Sequence, residues 1–204
     1  MKLTCTDGTV LEAEWSAPPS VHAVAVLCHP HPQYGGTMRS IVTSALFDAL
    51  PRDGIAALRF NFRGVEGSSG AHSGGRDEPL DVIAAIDKAA ELAPGDPLAL
   101  VGWSFGADMA LTVGDPRIAG WVGIAPPLRF RAAAEYERVG GDARPKLLVL
   151  AAHDEFRAPP EIEADTADWH NTRVEIVPGA SHFFVGRTER VVAATATFCG
   201  ELRQ

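Results

Sequence analysis

Leu98-Ala99-Leu100-Val101-Gly102-Trp103-Ser104-Phe105-Gly106-Ala107-Asp108-Met109-Ala110-Leu111-Thr112-Val113 is the stretch whose reading decides the fold. Leu98 to Val101 is an apolar run of strand length and Ala107 to Val113 has helical composition, so the residues between them turn sharply from a strand into a helix. A turn this tight brings the two backbones together and leaves no room for a Cβ at positions 102 and 106, both of which are glycine. Ser104 is then expected at the carboxyl end of a sheet, just before a helix N-terminus. The free N–H of Phe105 would lie beside its hydroxyl.

A lone serine is a poor nucleophile at neutral pH and needs a general base, which in turn needs an orienting group. In strand–turn–helix sites of the Gly-x-Ser-x-Gly kind, both partners lie downstream, the acid before the histidine. Lys146-Leu147-Leu148-Val149-Leu150-Ala151-Ala152 reads as a buried strand that runs into His153-Asp154-Glu155. Val174-Glu175-Ile176-Val177 is a further strand leading to Pro178-Gly179-Ala180-Ser181-His182. Asp154 and His182 therefore sit just past strand ends, as Ser104 does, and Glu155 is the competing acid.

In these stretches the chain resembles the small bacterial α/β-hydrolases of the dienelactone-hydrolase-like group. The resemblance is carried by His29-Pro30-His31-Pro32-Gln33-Tyr34-Gly35-Gly36, Arg59-Phe60-Asn61-Phe62-Arg63-Gly64, Gly102-Trp103-Ser104-Phe105-Gly106, His153-Asp154-Glu155-Phe156 and Gly179-Ala180-Ser181-His182-Phe183-Phe184, in order over nearly the whole chain. It implies a Ser–Asp–His triad on Ser104, Asp154 and His182. The residue before the histidine is often acidic in such proteins and is Ser181 here, and Ala151-Ala152 stands where Gly-Asp is more usual. Neither departure touches the reacting atoms.

The segment from His29 to Gly36 corresponds to the loop that supplies a second oxyanion donor in this fold. Pro30 and Pro32 have no N–H, which leaves His31 or a later residue; register against the family favours His31. A metal site on His29 and His31 is the competing reading, but no Cys/His/Asp cluster with ligand spacing accompanies them, and the His29 ring is expected to brace the loop. No cofactor is expected. The glycine- and serine-rich loop from Asn61 to Gly75 lacks the Gly-Lys-Ser/Thr ending of a phosphate cradle and carries Glu66, so it reads as a pocket edge.

With 204 residues, 46% of them apolar and 22% charged, the chain suits one domain over 1–204 with a substantial core. Its formal net charge of −8 argues against a nucleic-acid surface. The three cysteines, Cys5, Cys28 and Cys199, include no CxxC pair, so a disulfide framework is not expected and a reducing cytoplasm fits. Neither a signal sequence nor an apolar run of membrane length is apparent.

Along the chain, Leu3 to Trp15 reads as a hairpin at a sheet edge, turned at Asp7-Gly8. Val21 to Cys28 is apolar on both faces, as a central parallel strand must be, and Cys28 is expected in the core. Further strands are expected at 55–60 and 118–124, and helices at 38–50, 77–93, 161–169 and 189–202. The stretch 125–145 is short, polar and arginine-bearing where larger hydrolases insert a cap, so no full cap domain is expected. Alternating strands and helices imply a mostly parallel sheet covered on both faces, the α/β-hydrolase fold of the resemblance.

The function that follows is hydrolysis of a small-molecule ester or thioester through an acyl-enzyme intermediate. A non-catalytic binding protein on the same fold, and acyl transfer or peptide hydrolysis by the same residues, are the alternatives. Trp103, Phe105, Phe183, Phe184 and Tyr34 flank the candidate positions and suggest an apolar rim, with plain packing as the competing role.

Overall fold

The computed structural model describes residues 1–202 and contains one eight-stranded sheet. Its strands are β1 (Lys2–Thr4), β2 (Val10–Ser16), β3 (Ala23–Cys28), β4 (Ile55–Phe60), β5 (Leu98–Trp103), β6 (Ile118–Ile124), β7 (Lys146–Ala151) and β8 (Thr172–Val177), laid out in the order β1-β2-β4-β3-β5-β6-β7-β8. β1 and β2 form the expected edge hairpin, and β2 pairs antiparallel with β4. From β4 to β8 every pairing is parallel.

The described residues form six α-helices: α1 (Ile41–Ala49), α2 (Glu78–Leu92), α3 (Phe105–Ala110), α4 (Ala133–Gly140), α5 (Pro159–Asp165) and α6 (Thr188–Glu201). Period-two alternation divides the core in two. Val24, Val26 and Cys28 of β3 join a cluster with Val82 and Ile86 of α2 and Met109 of α3. Ala23, Ala25 and Leu27 of the same strand join Val42 and Leu46 of α1 and Val191 and Phe198 of α6. A strand buried on both sides must be apolar at every position, and β3, β5 and β7 are buried throughout.

Two expectations need correction. The helix expected over 38–50 begins only at Ile41, because Ser40 is still extended, and continues past Ala49 as a 3₁₀ turn that ends at Gly54 in the left-handed region. The helix expected over 161–169 is α5, which starts at Pro159 and ends at Asp165, four residues early. The stretch 125–145, expected to hold no full cap, carries α4, whose Tyr136 and Val139 are buried in the core. Its apolar positions are few, which hides it from a periodicity reading. Tyr136 and Val139 tie α4 to the core and no described residue of α4 lines the cavity that holds Ser104, so it is no cap.

The parallel topology puts the carboxyl ends of β3, β5, β7 and β8 along one rim of the sheet, where open α/β sheets bind their ligands. Ser104 directly follows β5, and Asp154 and His182 follow β7 and β8 by a few residues.

Candidate active site

Ser104 adopts φ 55°, ψ −122°, a conformation that non-glycine residues avoid and that costs about 1–3 kcal/mol. The surroundings over-determine it. Its N–H donates to Ile124 O at 2.9 Å, and its carbonyl accepts from Ala107 N at 2.8 Å as α3 begins. The flanking glycines are obligatory for the reason the sequence suggested. A Cβ on Gly102 would come 2.1 Å from Gly106 O, and one on Gly106 would come 2.2 Å from Cys28 O.

His182 Nε2 lies 2.9 Å from Ser104 Oγ, and its Nδ1 lies 2.8 Å from Asp154 Oδ2. The carboxylate fixes the tautomer: Nδ1–H donates to Asp154, leaving Nε2 to accept from the serine hydroxyl. Asp154 is itself held, since Oδ1 accepts the N–H groups of Phe156 at 2.9 Å and Arg157 at 3.2 Å. The competing acid has another job, because Glu155 Oε2 accepts the backbone N–H of His182 at 3.0 Å. Trp103 Nε1 donates to His182 O at 3.2 Å, so the histidine loop is tied at both its N–H and its carbonyl.

The loop after β3 presents His31. Its ring nitrogen Nδ1 accepts from Gln33 N at 3.2 Å, its carbonyl accepts from Tyr34 N and Gly36 N, and Gly35 N donates to Pro32 O. Pro30 and Pro32 have no N–H, the His31 N–H has no acceptor among the described residues, and Phe105 N–H is likewise free at the first position of α3. Phe105 directly follows Ser104, and His31 lines the same cavity as Ser104.

His29 braces this loop as the sequence suggested. Its Nδ1–H donates to Pro30 O at 2.6 Å and its Nε2 accepts Phe62 N–H at 3.0 Å. Both nitrogens are thereby used, so the ring cannot ligate a metal. Complete burial pushes its pKa down to about 3 and keeps it neutral. His31 is also shifted down, by desolvation first and then by His72 and Arg129 nearby.

A cavity of about 450 Å³ opens beside Ser104 and His182, lined by the His31 loop, by Ile41, by Trp103, by Pro127, Arg129 and Phe130, and by Phe156 and Phe183. Of the aromatic residues expected at a rim, Trp103, Phe183 and Tyr34 line this cavity. Phe105 and Phe184 do not: both are fully buried, Phe105 against Phe62, Phe130 and His31, and Phe184 in the core beneath the histidine loop.

Three residues escaped the sequence reading. Phe156 sits with its ring centroid 4.6 Å from that of His182. Asp108, fully buried in α3, accepts from three consecutive backbone N–H groups, of Leu128, Arg129 and Phe130. Glu78, at the start of α2, is fully buried and accepts from Ser73 and Gly75, fixing the end of the 61–75 loop. A charged residue inside the apolar run of α3 was the available signal for Asp108.

A family model described as serine aminopeptidase, S33 matches residues 19–199. The chain belongs to this family of α/β serine hydrolases. An α/β serine hydrolase homologue from Coxiella burnetii is similar at 29% identity, with a TM-score of 0.87 over 97% of this chain and 95% of that one. XC6422 from Xanthomonas campestris, described as an α/β serine hydrolase without lid, is similar at 28% identity, with a TM-score of 0.84 over 95% of this chain and 89% of that one. Est1E from Butyrivibrio proteoclasticus, with ferulic acid bound, shares the fold at 19% identity, with a TM-score of 0.85 over 99% and 98% of the two chains. This serine hydrolase thus has the α/β-hydrolase fold in its lidless form, and none of its described helices is long and apolar enough to cross a membrane.

Proposed function

We propose that this protein is a serine hydrolase of carboxylic esters or thioesters, working through an acyl-enzyme on Ser104. The observation that carries this reading is the continuous chain from Ser104 Oγ through both ring nitrogens of His182 to Asp154 Oδ2, closed at 2.9 and 2.8 Å. Ser104 attacks the substrate carbonyl while His182 Nε2 takes its proton. The tetrahedral oxyanion is stabilised by the N–H groups of Phe105 and His31. His182 then gives the proton to the leaving alcohol or thiol, and water repeats the sequence on the acyl-enzyme. Asp154 holds the tautomer and stabilises the imidazolium.

The family description also raises an aminopeptidase, and the cavity speaks against it. Such an enzyme must hold the substrate's α-ammonium group, yet among the described residues no Asp or Glu lines the cavity, and Arg129 at its wall repels a cation. A non-catalytic role is disfavoured because the strained Ser104 backbone serves no purpose in a packing residue. That an esterase of this fold, Est1E, binds ferulic acid, a carboxylic acid, agrees with hydrolysis at a carboxylic ester. The likeness to dienelactone-hydrolase-like enzymes, residues 1–204 as one catalytic domain, and a reducing cytoplasm suited to three unpaired buried thiols belong to the same reading.

The test is turnover of 4-nitrophenyl acetate together with labelling by a fluorophosphonate. Wild type should be labelled at Ser104, and Ser104→Ala or His182→Ala should each lower kcat by about a thousandfold or more, with losses that do not add. Wild-type turnover by Ser104→Ala would overturn the assignment.

A further inference from the structure

Pro127, Arg129 and Phe130 form one wall of the cavity, and a buried carboxylate anchors this wall. Asp108 lies one turn along α3 from Ser104 with no solvent exposure. Its Oδ1 accepts Leu128 N–H at 2.8 Å, and its Oδ2 accepts Arg129 N–H at 2.9 Å and Phe130 N–H at 3.0 Å. Burying a carboxylate is costly, and these donors offset the cost only while the segment stays in place. Leu128 is held at φ 49° by the same contacts. The helix that begins at the nucleophile therefore fixes the backbone of Arg129.

The Arg129 guanidinium, by contrast, has only the face of Phe130 for a partner among the described residues. Its guanidinium carbon lies 5.2 Å from the Phe130 ring centroid, and among the described residues the group has no hydrogen bond and no ion pair. Its neighbours are tied down: Arg131 pairs with Glu135 and donates to Gly75 O, and Arg157 pairs with Asp165 and donates to Pro127 O. Among the described cavity-lining residues Arg129 is the one permanent charge, a cation, in a chain of net charge −8. An arginine serving only solubility needs no buried carboxylate to fix its peptide, and a guanidinium beside an apolar cavity is matched to a carboxylate by its forked donors.

We propose that Arg129, held in place by Asp108 as a positioning residue, makes the enzyme selective for esters that carry a free carboxylate on the part lying against the 127–130 wall. The proposal rests on the esterase reading. It is tested with two matched pairs that differ only in charge. 4-Nitrophenyl hydrogen adipate against 4-nitrophenyl methyl adipate places the carboxylate on the acyl side, and 4-acetoxybenzoate against methyl 4-acetoxybenzoate places it on the leaving group. The readout is the ratio of kcat/KM within a pair, so a general loss of activity in a variant cancels.

Wild type at low ionic strength should favour the anionic member of one pair by about tenfold, the scale of one charge-assisted contact at a partly solvated site. The ratio should fall to about one in Arg129→Gln and shrink for wild type in 0.5 M salt. In Asp108→Asn the ratio should fall through KM for the anionic member, a split that simple destabilisation does not produce; should that variant fail to fold, Arg129→Gln decides alone. Turnover without charge preference in either pair, or a preference that survives Arg129→Gln, overturns the proposal and leaves the esterase reading standing. No turnover of any of the four esters overturns both.

Discussion

Glu155 Oε2 accepts the backbone N–H of His182 at 3.0 Å, so the carboxylate next to Asp154 in sequence grips the same histidine by its main chain and not by its ring. Two adjacent acids at the end of β7 thus divide two tasks: Asp154 orients the imidazole and Glu155 fixes the loop that carries it.

That division predicts unequal mutants. Asp154→Asn loses the anion that selects the Nδ1–H tautomer and should lower kcat on 4-nitrophenyl acetate by about 10³–10⁴. Glu155→Gln keeps an acceptor for the His182 N–H and should stay within about tenfold of wild type. Steady-state kinetics on both variants checks the order, and the reverse ranking would move the acid to Glu155.

His29 sets an acid limit on stability. Its pKa is near the ordinary 6.5 in the unfolded chain and is pushed down to about 3 in the fold by burial. Between those values the unfolded state binds a proton that the native state refuses, so stability falls as pH drops from 6.5 towards 3 and is unaffected by this group above 6.5. Glutamine can donate to Pro30 O and accept from Phe62 N without titrating. His29→Gln should be less stable than wild type at pH 8, and the gap should close by about 1 kcal/mol per pH unit below 6.5. Urea unfolding at pH 8, 6 and 5 measures it; parallel profiles would refute the account.

Acyl-length preference tests how open the site is. Among the described residues no part of α4 lines the cavity, whose volume of about 450 Å³ is that of a small-molecule site. Extra methylenes beyond the cavity stay in water and forgo the roughly 0.8 kcal/mol that each buried CH₂ contributes. Across 4-nitrophenyl esters from acetate to palmitate, kept below their aggregation limits, kcat/KM should rise over the first few carbons and then level or fall. A maximum at the longest chains would show that something covers the site.

What the sequence determined by itself was local and periodic. Apolar runs such as Ala23 to Cys28 and Leu147 to Ala151 had to be strands buried on both faces, and Gly102 and Gly106 marked a turn too tight for any Cβ. The positions of Ser104, Asp154 and His182 after strand ends followed from the same pattern, as did the bracing role of His29, since Pro30 and Pro32 leave its loop few donors of its own. The tertiary structure alone decided which of Asp154 and Glu155 faces the ring, because adjacent side chains diverge and their partner is 28 residues away for one and 27 for the other. It alone sent Phe105 and Phe184 into the core and brought Phe156 to the histidine. It also joined Asp108 to the N–H groups of residues 128–130, some twenty positions along the chain. Sequence periodicity reports which face of an element is buried, whereas a buried carboxylate reports its purpose only through the donors that folding gathers around it.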